Sequence, residues 1–561
     1  MLPLPFLAIS GDQTAESSFA SSLGKIFISQ TGARMERRDF LQAMLLSGSL
    51  VATGFPAIAD EATVSTCDVF VYGSTPGGIA AAIESARRGL KVTLACPYQH
   101  PGGMAASGLC TTDAVRRHLF GGLVLEFVKR VRDEYASSLG EQHPDFKLIH
   151  DGWYYEPSVA QRVFEKMIAD AATLTYLPGQ HLLRAHCGKS HIDSVWLEDA
   201  QGKRLTIEAR TFIDGTYEGD LAAAAKVPYR VGREARGEYD EPLAGIHYMN
   251  FRTGKQIVTR DSGEASPAIQ AFCARSIFTD DPEQRVPIEK PDTYEQHLPD
   301  FLPLLGDFKS GRVTRWSSGA KLPGRKVEAN GHIEWHTSLN CPGISWTWPE
   351  AEREHRARLA KFHVDHAAGM LWFLQNDPHV PENIRSQVSS LGLHRQEFVT
   401  NGHWPWQIYV RQGRRIEGRA IVTQLNFLPG KDGRTLRVEN PIALGEHSFD
   451  VHPCHDRRFA VDGFMEGVLW YPSKATGPAQ PGQIPFGALL PKPIDNLLVP
   501  VAMSCTHVAM SVLRMEPVWM TTGQIAGLAA FRAHEQSTDV ANIDPAKLAS
   551  DLKIATEPTA K

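Results

Sequence analysis

The chain has 561 residues, 42% of them hydrophobic, with a formal net charge of −5 and a pI near 6.5, which is enough for two domains around a sizeable core. With 58 basic against 63 acidic side chains, nothing global points to nucleic acid or an anionic membrane as partner, so clusters such as Arg411, Arg414, Arg415 and Arg419 need a local explanation. The eight cysteines, Cys67, Cys96, Cys110, Cys187, Cys273, Cys341, Cys454 and Cys505, contain no C-x-x-C pair, which argues against a zinc ribbon, an iron–sulfur cluster or a redox dithiol; no residue is expected as a metal ligand.

From the N-terminus, Glu36-Arg37-Arg38-Asp39-Phe40-Leu41-Gln42 reads as a twin-arginine export motif, followed by an apolar run from Ala43 to Ala57 and a small-x-small cleavage site at Ala57-Ile58-Ala59. The run is too short and too rich in Gly, Ser and Ala to be a stable membrane span. Residues 1–34 are not what such a signal needs in front of it, so they read as an over-extended start, with 35–59 as the signal peptide and Met35 as the true beginning. The mature protein is expected in the periplasm or secreted, carried folded by the twin-arginine machinery.

The next stretch, Cys67 to Gly78 running into Ile79-Ala80-Ala81-Ala82 and Arg87 to Leu94, predicts strand, glycine turn, small-residue helix and second strand. That order builds a dinucleotide site, in which glycines let backbone N–H groups approach a pyrophosphate at a helix N-terminus. Gly73 and Gly78 hold the first and third positions of G-x-G-x-x-G, Thr75 replaces the second, and Pro76 and Gly77 complete the turn. The acidic residue expected roughly 20 residues on, for the ribose hydroxyls, is missing: Ala95 and Cys96 stand there. A βαβ unit that binds nothing is the bland alternative. His100-Pro101-Gly102-Gly103-Met104 offers a second glycine turn along the other side of the nucleotide.

Helices are expected at Phe120–Tyr135 and Pro157–Ala172, and strands near Leu174–Leu177, Ser194–Leu197 and Thr206–Ile213, the last leading into Asp214-Gly215-Thr216. The stretch 226–485 is rich in Pro and aromatics, including Trp316, Trp335, Trp346, Trp348, Trp372, Trp404, Trp406 and Trp470. It predicts a long helix over Pro349–Leu374, another over Glu382–Ser390, and strand-like pieces at Gln407–Val410 and Arg434–Val438. Its aromatics suit stacking on sugar rings, although large core aromatics are the commoner reading. Near the end, Asn496–Val501 reads as a buried strand and Glu516–Arg532 as a helix whose Gly523 and Gly527 allow close approach by a ligand or by a neighbouring element.

These residues resemble the FAD-dependent oxidoreductases of the glutathione-reductase type, and more closely a bacterial, often exported branch that includes xanthan-lyase-related proteins. The carrying stretches are Val71 to Ala82, His100 to Gly108 with Thr112-Asp113, Tyr155 to Ala160, Phe212 to Leu221, Asn401 to Pro405 and Leu490 to Ala529, spanning roughly 66 to 532. The resemblance implies an α/β fold: a glutathione-reductase-like FAD-binding Rossmann domain split into 66–225 and 486–535, an inserted α+β substrate or cap domain at 226–485, and a tail at 536–561. It implies FAD as cofactor, held by Gly73, Thr75, Pro76, Gly77, Gly78, Cys96, Gly102, Gly103, Met104, Asp214, Gly215, Thr216, Glu516, Gly523 and Gly527.

Oxidising an alcohol by hydride transfer to a flavin also requires a base for the hydroxyl proton, and histidine titrates in the working range. His507, on the loop leaving the last strand, is the first candidate and His403 the second, with Tyr409, Arg411 and Arg514 as polar neighbours or carboxylate binders. The expected substrate is a hydroxyl of a sugar or polyol, with an unassigned electron acceptor. The alternatives are a periplasmic flavin reductase of an unsaturated carboxylate and a glycan-binding protein with a vestigial nucleotide fold.

Overall fold

A computed structural model describes residues 63–250, 255–256, 261–311, 313–331, 337–460, 464–470 and 479–558. The export motif, the cleavage site, Met35 and Trp335 lie outside the described residues. Among the described residues, no helix is long and apolar enough to cross a membrane.

A seven-stranded sheet forms the nucleotide end. β1 (Thr63–Tyr72) leads through a turn to α1 (Pro76–Arg87) and β2 (Val92–Ala95). After α2 (Gly122–Ser138) and α3 (Pro157–Ala169) come β3 (Leu174–Leu177), β4 (His181–Cys187), β5 (Ile192–Glu198), β6 (Arg204–Asp214) and α4 (Asp220–Ala224). The order is β3-β2-β1-β6-β5-β4, parallel from β3 to β6 and antiparallel from β6 to β4.

Side-chain alternation explains why β1 is a central strand. Val69 and Val71 enter one apolar cluster with Ile79, Leu94 and Ile213, whereas Phe70 and Tyr72 enter a second with Phe212, Ile207 and Val195. Period-two alternation sends successive residues to opposite faces, and here both faces are covered. Tyr72 pairs with Ala95 on one side and Asp214 on the other, so three parallel strands end level with one another.

The middle of the chain carries a five-stranded antiparallel sheet made of β7 (Ile277–Thr279), β8 (Arg285–Val286), β9 (Lys321–Leu322), β10 (Lys326–Glu328) and β11 (Gly392–His394), in the order β8-β11-β7-β10-β9. It also carries α5 (Arg353–Asn376), which begins four residues later than the expected helix. Gln407–Val410 and Arg434–Val438 are not strands. Only an isolated bridge from Tyr409 to Cys273 marks the first, because the next backbone N–H, of Val410, turns back to the Ile408 carbonyl instead of to a neighbouring strand.

The chain then returns to the nucleotide sheet. β12 (Leu497–Leu498) is shorter than the predicted Asn496–Val501 and pairs in parallel with Phe212 and Ile213, beyond the point where β5 leaves β6. α6 (His507–Leu513) and α7 (Glu516–Glu535) follow. α7 lies against α1 through small residues. A Cβ on Gly523 would sit 2.0 Å from the Gly77 carbonyl oxygen, and one on Gly527 would sit 2.4 Å from that of Ala81. The close approach these glycines permit is therefore between two helices.

Candidate active site

The level carboxyl ends of β1, β2 and β6 open onto a cavity with about 400 Å³ of empty space. Glycine turns form its floor. Gly73 has φ of +102°, and its Cβ would lie 2.7 Å from Gly215; a Cβ on Gly78 would lie 1.9 Å from the Gly73 carbonyl oxygen. These glycines let the turn after β1, the start of α1 and the turn after β6 cross in backbone contact. Thr75, at the position of the missing second glycine, caps α1: its hydroxyl accepts from the Gly78 N–H at 3.2 Å and donates to the Gly215 carbonyl at 2.6 Å. The N-terminus of α1, with Pro76 as its first residue, thus starts at the cavity, where its partial positive charge suits a phosphate.

Asp214, fully buried, serves the backbone. One oxygen accepts from the Thr216 N–H and hydroxyl, the other from the Ala222 N–H at the start of α4, while burial pushes its carboxyl up to about 6. The second glycine turn is tied in by the Gly102 N–H on the Ser74 carbonyl at 2.9 Å, and Gly103 lines the cavity. The Met104 N–H donates to the Tyr217 hydroxyl at 2.9 Å, and that hydroxyl donates to Glu516 Oε1 at 2.5 Å. Glu516 is buried beside apolar side chains including Phe127, Phe164 and Met520, and this pushes its carboxyl up to about 8.

Cys96 lines the cavity with its thiol accepting from the Tyr98 N–H at 3.4 Å, and burial raises its pKa. Carboxylate acceptors come from the other side, as Glu218 and Asp220. Glu218 takes the Trp348 indole N–H at 3.0 Å, and burial raises its pKa. Burial also acts on Asp220, but a two-pronged bond from Arg356 on α5 and a third contact from Arg414 outweigh it and hold that carboxyl low. Sequence reasoning missed Tyr217, Glu218, Asp220 and Arg356 as site residues. The charges in the turn after β6 were a visible signal for the middle two; a single arginine on a charged helix face was none for Arg356.

One extended segment carries most of the remaining candidates. Along 407–415, Gln407 lines the cavity and the Tyr409 hydroxyl accepts from Arg514 at 2.8 Å. Arg411 lies over the Tyr409 ring at 4.5 Å, and the Gln412 side-chain oxygen accepts from His507 Nδ1 at 2.7 Å. A Cβ on Gly413 would meet the Tyr217 carbonyl at 2.5 Å; Arg414 then turns to Asp220 and Arg415 to Glu234. The arginine cluster is thus explained residue by residue, and Arg419 pairs with Asp495.

His507 opens α6 and is 1% exposed. The loop before it lies on the nucleotide turns, with Val501 where a Gly77 Cβ would go and Ala502 against Gly219. Burial, with Arg233 and Arg415 nearby, holds the imidazole well below its ordinary pKa, so it is neutral. Gln412 donates its amide N–H to the Gly232 carbonyl, which leaves its Oε1 to accept from His507 Nδ1–H. The His507 Nε2 lone pair then has no hydrogen-bond partner among the described residues.

Arg411, 1% exposed, has, among the described residues, only the Ala271 carbonyl and the Cys273 thiol as hydrogen-bond partners, whereas Arg514 pairs with Asp450 and Arg275 with Glu328. Burial, with Arg514 beside it, lowers the Arg411 pKa. His403 is not brought to this place. It has φ of +67°, its Nδ1 faces the Glu397 carbonyl at 3.1 Å, and its backbone bonds go to Phe398 and Ser276, none of which lines the cavity.

A family model described as FAD dependent oxidoreductase matches residues 68–552. No curated protein matches the chain. Among solved structures, a geranylgeranyl bacteriochlorophyll reductase-like protein from Thermoplasma acidophilum is 10% identical, with a TM-score of 0.31, over 87% of this chain and 83% of that one. L-proline dehydrogenase from P. horikoshii is 14% identical, with a TM-score of 0.18, over 33% of this chain and 26% of its own. The myxobacterial chondrochloren halogenase CndH is 16% identical, with a TM-score of 0.23, over 40% and 45%.

Proposed function

Because the chain belongs to the FAD dependent oxidoreductase family, we propose that it oxidises a hydroxyl group of a carbohydrate or polyol, with His507 taking the hydroxyl proton. FAD is its cofactor, and the cavity residues suit that group. The backbone crossing at Gly73, Gly78 and Gly215 brings the N-terminus of α1 to the cavity for a pyrophosphate, and Glu218 and Asp220 offer the acceptors that Cys96 lacks. Bound FAD supplies the hydride acceptor.

The observation that carries the proposal is the state of His507: neutral, buried, its Nδ1–H committed to Gln412, its Nε2 lone pair unengaged by protein. Gln412 fixes the tautomer and ring orientation, and the Glu234 carboxylate accepts the His507 backbone N–H at 2.8 Å, anchoring the residue. As the substrate C–H leaves with its electron pair, Nε2 accepts the O–H proton and a carbonyl product results. Nearby Arg233 and Arg415 oppose a standing positive charge on the ring, so the proton passes on once product has formed.

A second reading rests on Arg411. A buried guanidinium without a carboxylate partner favours an anion, which fits reduction of an unsaturated carboxylate. Anaerobic mixing of the flavoprotein with a panel of sugars and polyols should bleach the flavin absorbance. A panel that leaves it unbleached, together with reoxidation of the dithionite-reduced protein by an enoate, would replace the first reading with the second. In the same proposal, the nucleotide end is of the glutathione-reductase type, 226–485 serves as its cap, and the chain is exported to the periplasm by the twin-arginine route.

A further inference from the structure

The helix Tyr294–Phe301 packs beside α5, and the two elements bring His297, Asp300 and His366 together. His297 and Asp300 are three residues apart and therefore share a helix face. One nitrogen from each imidazole and one Asp300 carboxylate oxygen all lie within 4.8 Å of one another. His297 is 1% exposed and His366 is 4% exposed, with ring centroids 5.6 Å apart.

The hydrogen bonding of the two rings points to a ligand. His366 Nε2 lies 2.8 Å from the Ser338 carbonyl oxygen, so that nitrogen carries the proton and Nδ1 is the lone-pair atom. Among the described residues, neither that Nδ1 nor His297 Nε2 has a hydrogen-bond partner. A buried imidazole lone pair and a second buried ring nitrogen, both without a partner, are costly unless an electron-poor centre accepts them.

We propose that His297, Asp300 and His366 bind one divalent cation, with a donor set of two imidazole nitrogens and a carboxylate oxygen that suits Zn²⁺. Metal–ligand distances near 2.0–2.2 Å need only small side-chain rotations from the present spacing, and three protein ligands leave the coordination to be completed by solvent. The Ser338 carbonyl fixes the His366 tautomer in the way that outer partners of ligating histidines do. His366 lies ten residues along α5 from Arg356, about 15 Å at the helical rise, so the cation tethers the helix that grips Asp220 and takes no part in the redox step.

The test uses the complete flavoprotein, stripped with chelator and titrated separately with Zn²⁺ and Co²⁺. One equivalent of Zn²⁺ should bind and raise Tm, and Co²⁺ should give the strong visible bands of a four-coordinate site. His297→Asn and His366→Asn should each weaken Zn²⁺ binding by at least about 100-fold, since even an outer partner is worth 10–100-fold, with flavin content unchanged. Variants that bind as tightly as wild type would place the metal elsewhere and overturn the proposal. Should either variant fail to fold, the wild type decides: no stoichiometric uptake, or only the weak bands of octahedral Co²⁺, also overturns it.

Discussion

The two ends of the molecule satisfy their polar groups in opposite ways. At the glycine-lined end of the sheet, Thr75, Asp214, Thr216 and Tyr217 spend their hydrogen bonds on local backbone or on each other, and three glycines cross in direct contact. Around the 407–415 segment, Arg411 Nε, Glu241 Oε2, Gln424 Nε2 and His507 Nε2 are buried without a partner among the described residues. The first arrangement leaves Glu516 Oε2 and Trp519 Nε1 open at its edge; the second leaves four such atoms around one short segment. A dinucleotide cradle must be stiff before the ligand arrives, whereas a reaction chamber keeps valences open for a substrate.

Substitution at the stiff end should do the greatest damage. Gly78→Val drives a branched carbon into the Gly73 carbonyl, which lies 1.9 Å from an ideal Cβ, with no flexible side chain to yield. The expected cost is about 3 kcal/mol or more, read as loss of soluble protein or a large drop in Tm together with loss of flavin absorbance. The clash is with protein backbone, so the loss of FAD follows from a displaced α1. A variant that kept its Tm but lost flavin would put the obstruction in the ligand's path instead.

At the open end, His507→Gln should fold and hold FAD while slowing flavin reduction by on the order of 10²–10⁴ at saturating substrate. His403→Gln should leave the reduction rate near wild type, since that ring is engaged by the Glu397 carbonyl and its backbone by Phe398 and Ser276, away from the 407–415 segment's contact with His507. Stopped-flow measurement of both variants checks the assignment. Slow reduction in His403→Gln with normal reduction in His507→Gln would reverse it.

A purely pH-dependent effect lies at the seam between the two ends, at Glu516. Its ordinary value near 4.5 is pushed up to about 8 by burial, so the folded protein keeps a proton that the unfolded chain releases between those values. The stabilisation is fully present below about pH 4.5 and is lost as pH rises towards 8. Tm should therefore fall across that window, and Glu516→Gln, which keeps the shape and the Tyr217 contact, should flatten the fall. An identical pH profile in the variant would show that Glu516 is ionised when folded.

The nucleotide end was largely legible because its signals are local. Alternation in β1, the Gly73–Gly78 turn and the small-residue face of α1 are read within one window of sequence. Gly523 and Gly527 were legible as small residues, but their contact with α1 was not, since the partners lie more than 400 positions earlier. The open end was harder for the same reason: Gln412 and His507 meet across 95 residues, and Tyr217 and Glu516 across 299. His507 stands out by its place after the returning strand, whereas nothing near Gln412 announces its contact with that ring. Thr75 looked like a defect in the glycine pattern until its hydroxyl proved to cap α1.

The segment 407–415 also carries a tolerance limit. Its ladder contacts are confined to a bridge at Tyr409 and the pairing of Arg415 with Arg230, yet Tyr409, Arg411, Gln412, Arg414 and Arg415 reach Arg514, the Ala271 carbonyl, His507, Asp220 and Glu234 in a fixed order, with Gly413 pressed on the Tyr217 carbonyl as the index mark. Removing one residue there would bring a side chain onto that carbonyl and pass every arginine to its neighbour's partner. A deletion in this segment should therefore cost more stability than a substitution at any one of its positions except Gly413.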